Sequence, residues 1–363
     1  MTFTLINASA GSGKTHTLTH DIAERIKGGL QPSQLIATTF TTKAAAELSD
    51  RVRRTLLEVG DAQAATGIDS AMIGTVNAVA GQLLREFAMD AGISPDVQVL
   101  DADRQKAAFN AAIDDAAAAA GARSGDLLAR TGHDGEEDPA LPYSATPSWR
   151  SHVRDLAGRA RTNRIGADQL RAAAAASWQE YRDAALPAAS DQDRRQAWLA
   201  GLDGALQALR AEADAAAESP AATIRKHLDP LEQLRRDLAD PSRAPWAGWA
   251  KLAKPAQVAE ARAAAKEAGR KLPGFAYAKA VDAALLGISQ QVADELLANP
   301  VLQADARELI HLVMDTAAGS LDAYAQYKDD LGLIDFVDQE VRTLELIRSS
   351  PVSYTHLTLP TKA

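Results

Sequence analysis

Ala8-Ser9-Ala10-Gly11-Ser12-Gly13-Lys14-Thr15 decides how this chain is read. It lies between a β-type run, Phe3-Thr4-Leu5-Ile6, and a helix-type run carrying Leu18, Ile22 and Ile26. Strand, small-residue loop and helix in that order are what a phosphate-binding loop needs. Small residues let the backbone curl so that its N–H groups converge on phosphate oxygens. The following helix adds its positive dipole end to the same spot. Lys14 supplies a point charge for the β/γ-phosphates, and the Thr15 hydroxyl is a ligand for Mg²⁺. Ala8 stands where the general pattern has Gly, so the match is Ala-x-x-x-x-Gly-Lys-Thr. A Gly/Ser-rich turn before a helix is more often only a turn; here Gly-Lys-Thr, the strand and the helix occur together.

Outward from the loop, Gly28-Gly29-Leu30-Gln31-Pro32 breaks the first helix. Leu35–Phe40 reads as a second strand, apolar then Thr-rich. Ala44, Leu48, Val52 and Leu56 then form a buried helical stripe at four-residue spacing. Met72-Ile73-Gly74 is a third short strand, before a helix with Val76, Val79, Ala80, Leu83, Leu84 and Phe87 on one face. This alternation implies parallel strands with helical crossovers. From Asp101 to about Gln326 the strand signal fades into Ala-rich helices, broken at Gly132–Pro147, Leu186–Ser190, Pro220, Pro241–Pro245 and Pro273-Gly274. A helix resumes at Glu308, Gly332 breaks it, and Leu333-Ile334-Asp335-Phe336-Val337-Asp338 leads into a last helix from Gln339 to Arg348. The expected divisions are 1–100, an α/β domain; 101–328, a helical insertion; 329–350, a return to the first domain; and 351–363, a tail.

The formal net charge of −9 argues against a generally basic surface for nucleic acid but leaves room for a local groove. With no cysteine there is no disulfide, thiolate metal site or iron–sulfur cluster. No structural metal is expected from the seven histidines. No apolar run approaches a membrane span and no secretory pattern opens the chain, so a cytoplasmic protein without membrane contact is the expectation.

Four segments together resemble the superfamily 1 DNA helicases of the UvrD/Rep group, most of all their RecB- and AddA-like branch. Asn7 to Thr15 is similar to the family's ATP-binding motif. Thr38-Thr39-Phe40-Thr41-Thr42-Lys43-Ala44-Ala45-Ala46-Glu47-Leu48 is similar to its "TFTxKAAxEL" motif. Ile73-Gly74-Thr75-Val76-Asn77-Ala78-Val79 stands in the place of "GTIHGF", and Gly332-Leu333-Ile334-Asp335-Phe336 is similar to "GLLDFDDL". The resemblance implies an α/β fold: a P-loop NTPase (RecA-like) parallel-sheet domain, incomplete here, with a large all-α insertion domain. It implies ATP and Mg²⁺ as cofactors. ATP would be held by Ala8, Ser9, Ala10, Gly11, Ser12, Gly13, Lys14 and Thr15, with Lys14 and Thr15 serving catalysis and Thr15 the metal. It implies single-stranded DNA and duplex junctions as partners, touched by Phe40, Thr41, Lys43, Thr75 and Asn77, and a helicase–nuclease partner subunit.

The residues themselves leave alternatives open. Thr41 and Thr75 are equally helix caps, and Phe40 is either a base-stacking face or core. Asn77 replaces the family's usual His and Val79 its usual aromatic, so neither charge nor ring stacking is available there. Arg150, Arg154, Arg159, Arg161 and Arg164 read first as a solvated helix face and second as a duplex contact. Trp246 and Trp249, three apart, are expected to pack helices.

The upstream glutamine motif and the family's later motifs, including its Asp-Glu pair, are not found. Val352 to Thr361 reads as the translation of a transposon-end sequencing adapter. The expectation is therefore a truncated ATP-binding fragment, inactive alone, of an ATP-dependent helicase. A phosphate-loop kinase and a non-catalytic nucleotide-binding adaptor are the other classes.

Overall fold

The computed structural model of the chain describes residues 14–133 and 148–349. The expected strand Phe3–Ile6, the loop Ala8–Gly13 and the tail 351–363 lie outside the described residues. The chain forms two compact units, one running to Lys106 and again from Gln326, the other spanning Ala107–Ala325.

The first unit opens with α1 (Lys14–Lys27), β1 (Ile36–Thr39), α2 (Thr42–Glu58), α3 (Ala62–Gly67), β2 (Met72–Thr75), α4 (Val76–Glu86) and β3 (Gln98–Val99). α1 stops at Gly28-Gly29, where Gly29 takes a φ of +107° that side chains with a Cβ avoid. β1 and β2 pair in parallel, from Ile36 opposite Met72 to Thr39 opposite Thr75. A parallel pair needs a long crossover, and α2 and α3 supply it. Ile22, Ala23 and Ile26 of α1 bury against Leu48, Val52 and Leu56 of α2, with Ala65 and Ile68 closing the cluster.

Two stripe positions differ from expectation. Ala45, not Ala44, joins Leu48, Val52 and Leu56 in the core, because the buried face of α2 follows i, i+3, i+7 from position 45. Val76 is exposed: it is the first residue of α4, at the point where β2 ends.

Every regular element among the described residues of the second unit is a helix. The unit holds most of α5 (Ala102–Arg123), then α6 (Gly125–Thr131), α7 (Trp149–Thr162), α8 (Ala167–Ala185), α9 (Arg195–Ala215), α10 (Glu218–Asp237), α11 (Trp246–Leu252), α12 (Lys254–Glu267), α13 (Lys279–Glu295) and most of α14 (Pro300–Asp330). Pro220 does not break a helix. It sits in the first turn of α10, where a proline lacks no needed N–H. α14 begins at Pro300, about two turns before the expected Glu308.

Two cores form in this unit. Phe109, Ile113, Trp149, Val153 and Tyr324 centre one, with the Phe109 and Tyr324 rings edge-on at 5.3 Å. Trp198, Leu202, Trp249, Leu285 and Ile288 centre the other, with Trp198 edge-on to Trp249 at 5.5 Å. Trp246 stays at the margin, its indole N–H donating to Asp305 Oδ2 at 2.7 Å.

The chain re-enters the first unit through Gly332, at φ +63°, into β4 (Leu333–Ile334) and α15 (Phe336–Ser349). β4 pairs in parallel with β3, Gln98 opposite Leu333 and Val99 opposite Ile334. α15 lies along α4. A Cβ at Gly81 would come within 2.6 Å of the Gln339 amide nitrogen, so the absence of a side chain there sets how closely the two helices approach. No helix among the described residues is long and apolar enough to cross a membrane.

Candidate nucleotide and nucleic-acid site

Lys14 and Thr15 are the first two residues of α1, with Thr15 exposed. The other residues expected to hold ATP, Ala8 through Gly13, lie outside the described residues, as does the Lys14 side chain. What is described is the seating of the helix behind them. Ile22 and Ile26 lock α1 onto α2, and Thr19, buried one turn in, donates its hydroxyl to the His16 carbonyl at 2.9 Å. The first turn of α1 contains no acid. Its dipole and free N–H groups are therefore not neutralised by the helix's own side chains, as an anion site requires. The described start of α1 fits a bound phosphate on that ground.

The second part of the site is the C-terminal edge of the β1–β2 pair. Because Thr39 stands opposite Thr75, both strands end at the same level; β2 passes straight into α4, and β1 reaches α2 through Phe40-Thr41. Thr41 caps α2 by accepting the Ala44 N–H at 3.1 Å, and Thr75 caps α4 by accepting the Ala78 N–H at 3.1 Å. Each hydroxyl satisfies one of the orphan donors at its helix start and leaves others exposed. The Thr39 hydroxyl donates to the Thr41 carbonyl at 2.9 Å, which ties the linker down. Neither α2 nor α4 has an acid in its first turn, whereas α15 in the same unit has Asp338 there.

Lys43, at the second position of α2, is exposed. A cation at a helix N-terminus opposes the dipole and costs a few tenths of a kcal/mol to about 1 kcal/mol. Helix stability does not account for that choice.

Phe40 links the strand to its cap and is 100% exposed. That removes the core-packing alternative for this ring. Asn77, at the second position of α4, has a buried Oδ1 with no hydrogen-bond partner. Gly74 allows β2 to run close under α4, since a Cβ there would lie 3.2 Å from the Ala78 Cβ. The structure thus brings Thr41, Lys43, Thr75 and Phe40 to one strand edge. Val76, exposed beside Thr75, belongs with them, although its apolar character suggests core from sequence.

The return segment has a structural role. Asp335 is 0% exposed and caps α15, its Oδ1 accepting from Val337 N at 2.8 Å and Asp338 N at 3.0 Å. Asp338 Oδ2 accepts from Asp335 N at 2.9 Å, completing a reciprocal capping box. Lys328 Nζ bridges both carboxylates, at 3.1 Å from Asp335 Oδ2 and in direct contact with Asp338 Oδ2. Lys328 lies on α14, with no short-range signal to connect it to the capping box.

Of the expected arginine cluster, Arg161 packs on aromatic rings, whereas Arg159 and Arg164 are exposed. The Arg161 guanidinium lies 5.2 Å from the Phe109 ring centre and 5.3 Å from that of Tyr324, and Arg154 pairs with Asp114 at 3.3 Å.

Comparison with known proteins places these features in a family. The profile described as UvrD/REP helicase N-terminal domain matches residues 2–358. DNA helicase II of Haemophilus influenzae is 40% identical over 102 residues, which cover 28% of this chain and 14% of that relative. DNA helicase II of Escherichia coli is 37% identical over 102 residues, covering 28% of this chain and 13% of the relative. An ATP-dependent helicase/nuclease subunit of Streptococcus suis is 32% identical over 116 residues, covering 29% of this chain and 10% of the relative. Each alignment therefore spans well under two thirds of the relative's length.

Proposed function

The chain belongs to the UvrD/REP helicase N-terminal domain family, and from that premise we propose that it is the ATP-binding part of an ATP-dependent DNA helicase or translocase acting on single-stranded DNA and duplex junctions. The observation that carries the proposal is the β1–β2 edge. Two threonine-capped helix starts without acids, an exposed Lys43 and a fully exposed Phe40 lie together there.

In this reading the backbone from Ala8 to Gly13 cradles the triphosphate, and Lys14 neutralises its β/γ-oxygens. Thr15 offers its hydroxyl to Mg²⁺, which when bound stabilises charge on the transferring phosphoryl group. Thr41, Lys43, Thr75 and Asn77 grip the DNA backbone through hydroxyls, an ammonium, an amide and free helix N–H groups, contacts that carry no sequence information. Phe40 stacks on a base, which is equally sequence-neutral. The set suits an enzyme that moves along DNA without reading it. A helicase–nuclease partner belongs to the proposal on the strength of the streptococcal relatives, which are named as helicase/nuclease subunits.

Two titrations test it on the chain itself: calorimetry with MgATP, and anisotropy with a labelled oligothymidylate. Lys14→Ala is expected to abolish the MgATP heat and leave a folded protein by circular dichroism. Unchanged MgATP heat in Lys14→Ala would refute the nucleotide assignment.

A further inference from the structure

One stretch of the second unit carries a charge opposite in sign to that of the whole chain. Between residues 251 and 281 stand Lys251, Lys254, Arg262, Lys266, Arg270, Lys271 and Lys279 against only Glu260 and Glu267, in a protein of net charge −9. Among the described residues Lys251, Lys254, Lys266, Arg270, Lys271 and Lys279 make no ion pair. Arg262 is the exception in being engaged, donating to the Pro273 carbonyl and lying 4.2 Å from the Phe275 ring centre.

Within this segment lies an apolar groove of about 290 Å³ between α12 and α13. Pro255, Val258 and Ala259 form one wall, Ala283 and Leu286 the other, and Phe275 of the connecting loop the end. Phe275 and Leu286 are 43% and 41% exposed, and Leu272 beside them is exposed as well. Arg262 and Lys279 stand at the rim. Lys266 continues the 255, 258, 259, 262 stripe by one turn. Glu260 and Glu267 fall about 120–140° around α12 from the centre of that stripe, at 100° per residue. The one carboxylate in the lining, Asp282, is buried and committed to the loop, accepting from Ala276 N at 2.8 Å and Tyr277 N at 2.9 Å.

We propose that this groove docks an acidic segment of a partner protein, with one bulky apolar side chain seated between α12 and α13 and flanking carboxylates on Arg262, Lys266 and Lys279. The apolar walls identify the anchor, because a cavity of this size is at the lower limit for small-molecule pockets and suits one or two side chains. Lys279 at its rim, with Lys266 one turn along α12 from Arg262, identifies the flanking charge, since complementary potentials steer association and fix register. Single-stranded nucleic acid fits less well. The groove's walls are aliphatic apart from Phe275 at its end, and stacking of successive bases needs several aromatic faces.

The test is fluorescence anisotropy of the whole chain with a fluorescein-labelled synthetic peptide of six aspartates flanking a Leu-Phe pair. Saturable, salt-weakened binding is expected. Leu286→Asp is expected to weaken it about tenfold and Lys279→Glu about fivefold. Replacing Leu-Phe by Ser-Ser, or every aspartate by lysine, is expected to abolish it; these two arms use unaltered protein and stand even where a variant fails to fold. The proposal is overturned where the Ser-Ser peptide binds as well as the parent peptide. It is equally overturned where Leu286→Asp leaves peptide affinity unchanged, or where a DNA oligonucleotide binds more tightly than the peptide and loses affinity with the same substitution.

Discussion

Truncating Phe40 to alanine separates a ring that supports the fold from one that waits for a ligand. At 100% exposure the ring buries nothing. The hydrogen bonds that shape its surroundings, Thr39 Oγ1 to the Thr41 carbonyl and Ala44 N to Thr41 Oγ1, involve no atom of its side chain. Phe40→Ala should therefore shift unfolding free energy by no more than about 0.5 kcal/mol, the range of surface substitutions. A buried phenylalanine would cost about 3–5 kcal/mol instead. In DNA binding the order reverses. One lost base stack is worth about 1–3 kcal/mol, or about a 5- to 150-fold rise in Kd. Urea denaturation gives the first quantity, and anisotropy with a labelled oligothymidylate at fixed salt gives the second. Phe40→Tyr should retain affinity, since it keeps the π-face. A fall in stability of several kcal/mol together with DNA affinity unchanged within twofold would refute the reasoning at both points.

Other substitutions probe the frame around the site. Lys328→Met removes the cation shared by Asp335 and Asp338, and urea denaturation should show a loss of about 3–5 kcal/mol because two buried or half-buried carboxylates lose their counter-charge. Thr41→Val deletes the α2 cap and should cost about 1 kcal/mol of stability, while also weakening DNA binding in the same titration. In the second unit, burial works to raise the Asp193 pKa, but the Arg195 side chain and backbone N–H and the Asn299 amide outweigh it and hold the carboxyl below its ordinary range. Its stabilisation is thus full above the unfolded pKa of about 3.9 and lost as pH falls through the lower folded value. Asp193→Asn should be less stable than the parent at neutral pH, with the difference shrinking below about pH 4 in pH-dependent urea curves.

Much of the first unit was legible because its signals are short-ranged. β1 and β2 are short runs carrying Ile36, Thr38 and Thr39, and Ile73 and Thr75, ahead of helical periodicity. Thr41 and Thr75 precede helical periodicity by one residue, which is what a cap looks like in sequence. The weaker readings had a common source. Ala44 against Ala45, Val76 as core and Pro220 as a break turn on the phase or end of a helix, where periodicity alone leaves a residue or two of freedom; Glu308 as a helix start missed the true start at Pro300 by about two turns.

Residue types and their order by themselves determined the family, the phosphate-loop motif, the strand–helix alternation and the helical character of the middle of the chain. These depend on local propensity and on motifs a few residues long, which no distant contact needs to complete. Only the tertiary structure decided that Phe40 faces solvent, that Lys328 holds the capping box of α15, and that Arg262 and Lys279 rim an apolar groove. Exposure and pairing are properties of what packs against a side chain, and that partner is chosen by the folding of segments remote in sequence or turned back by a loop.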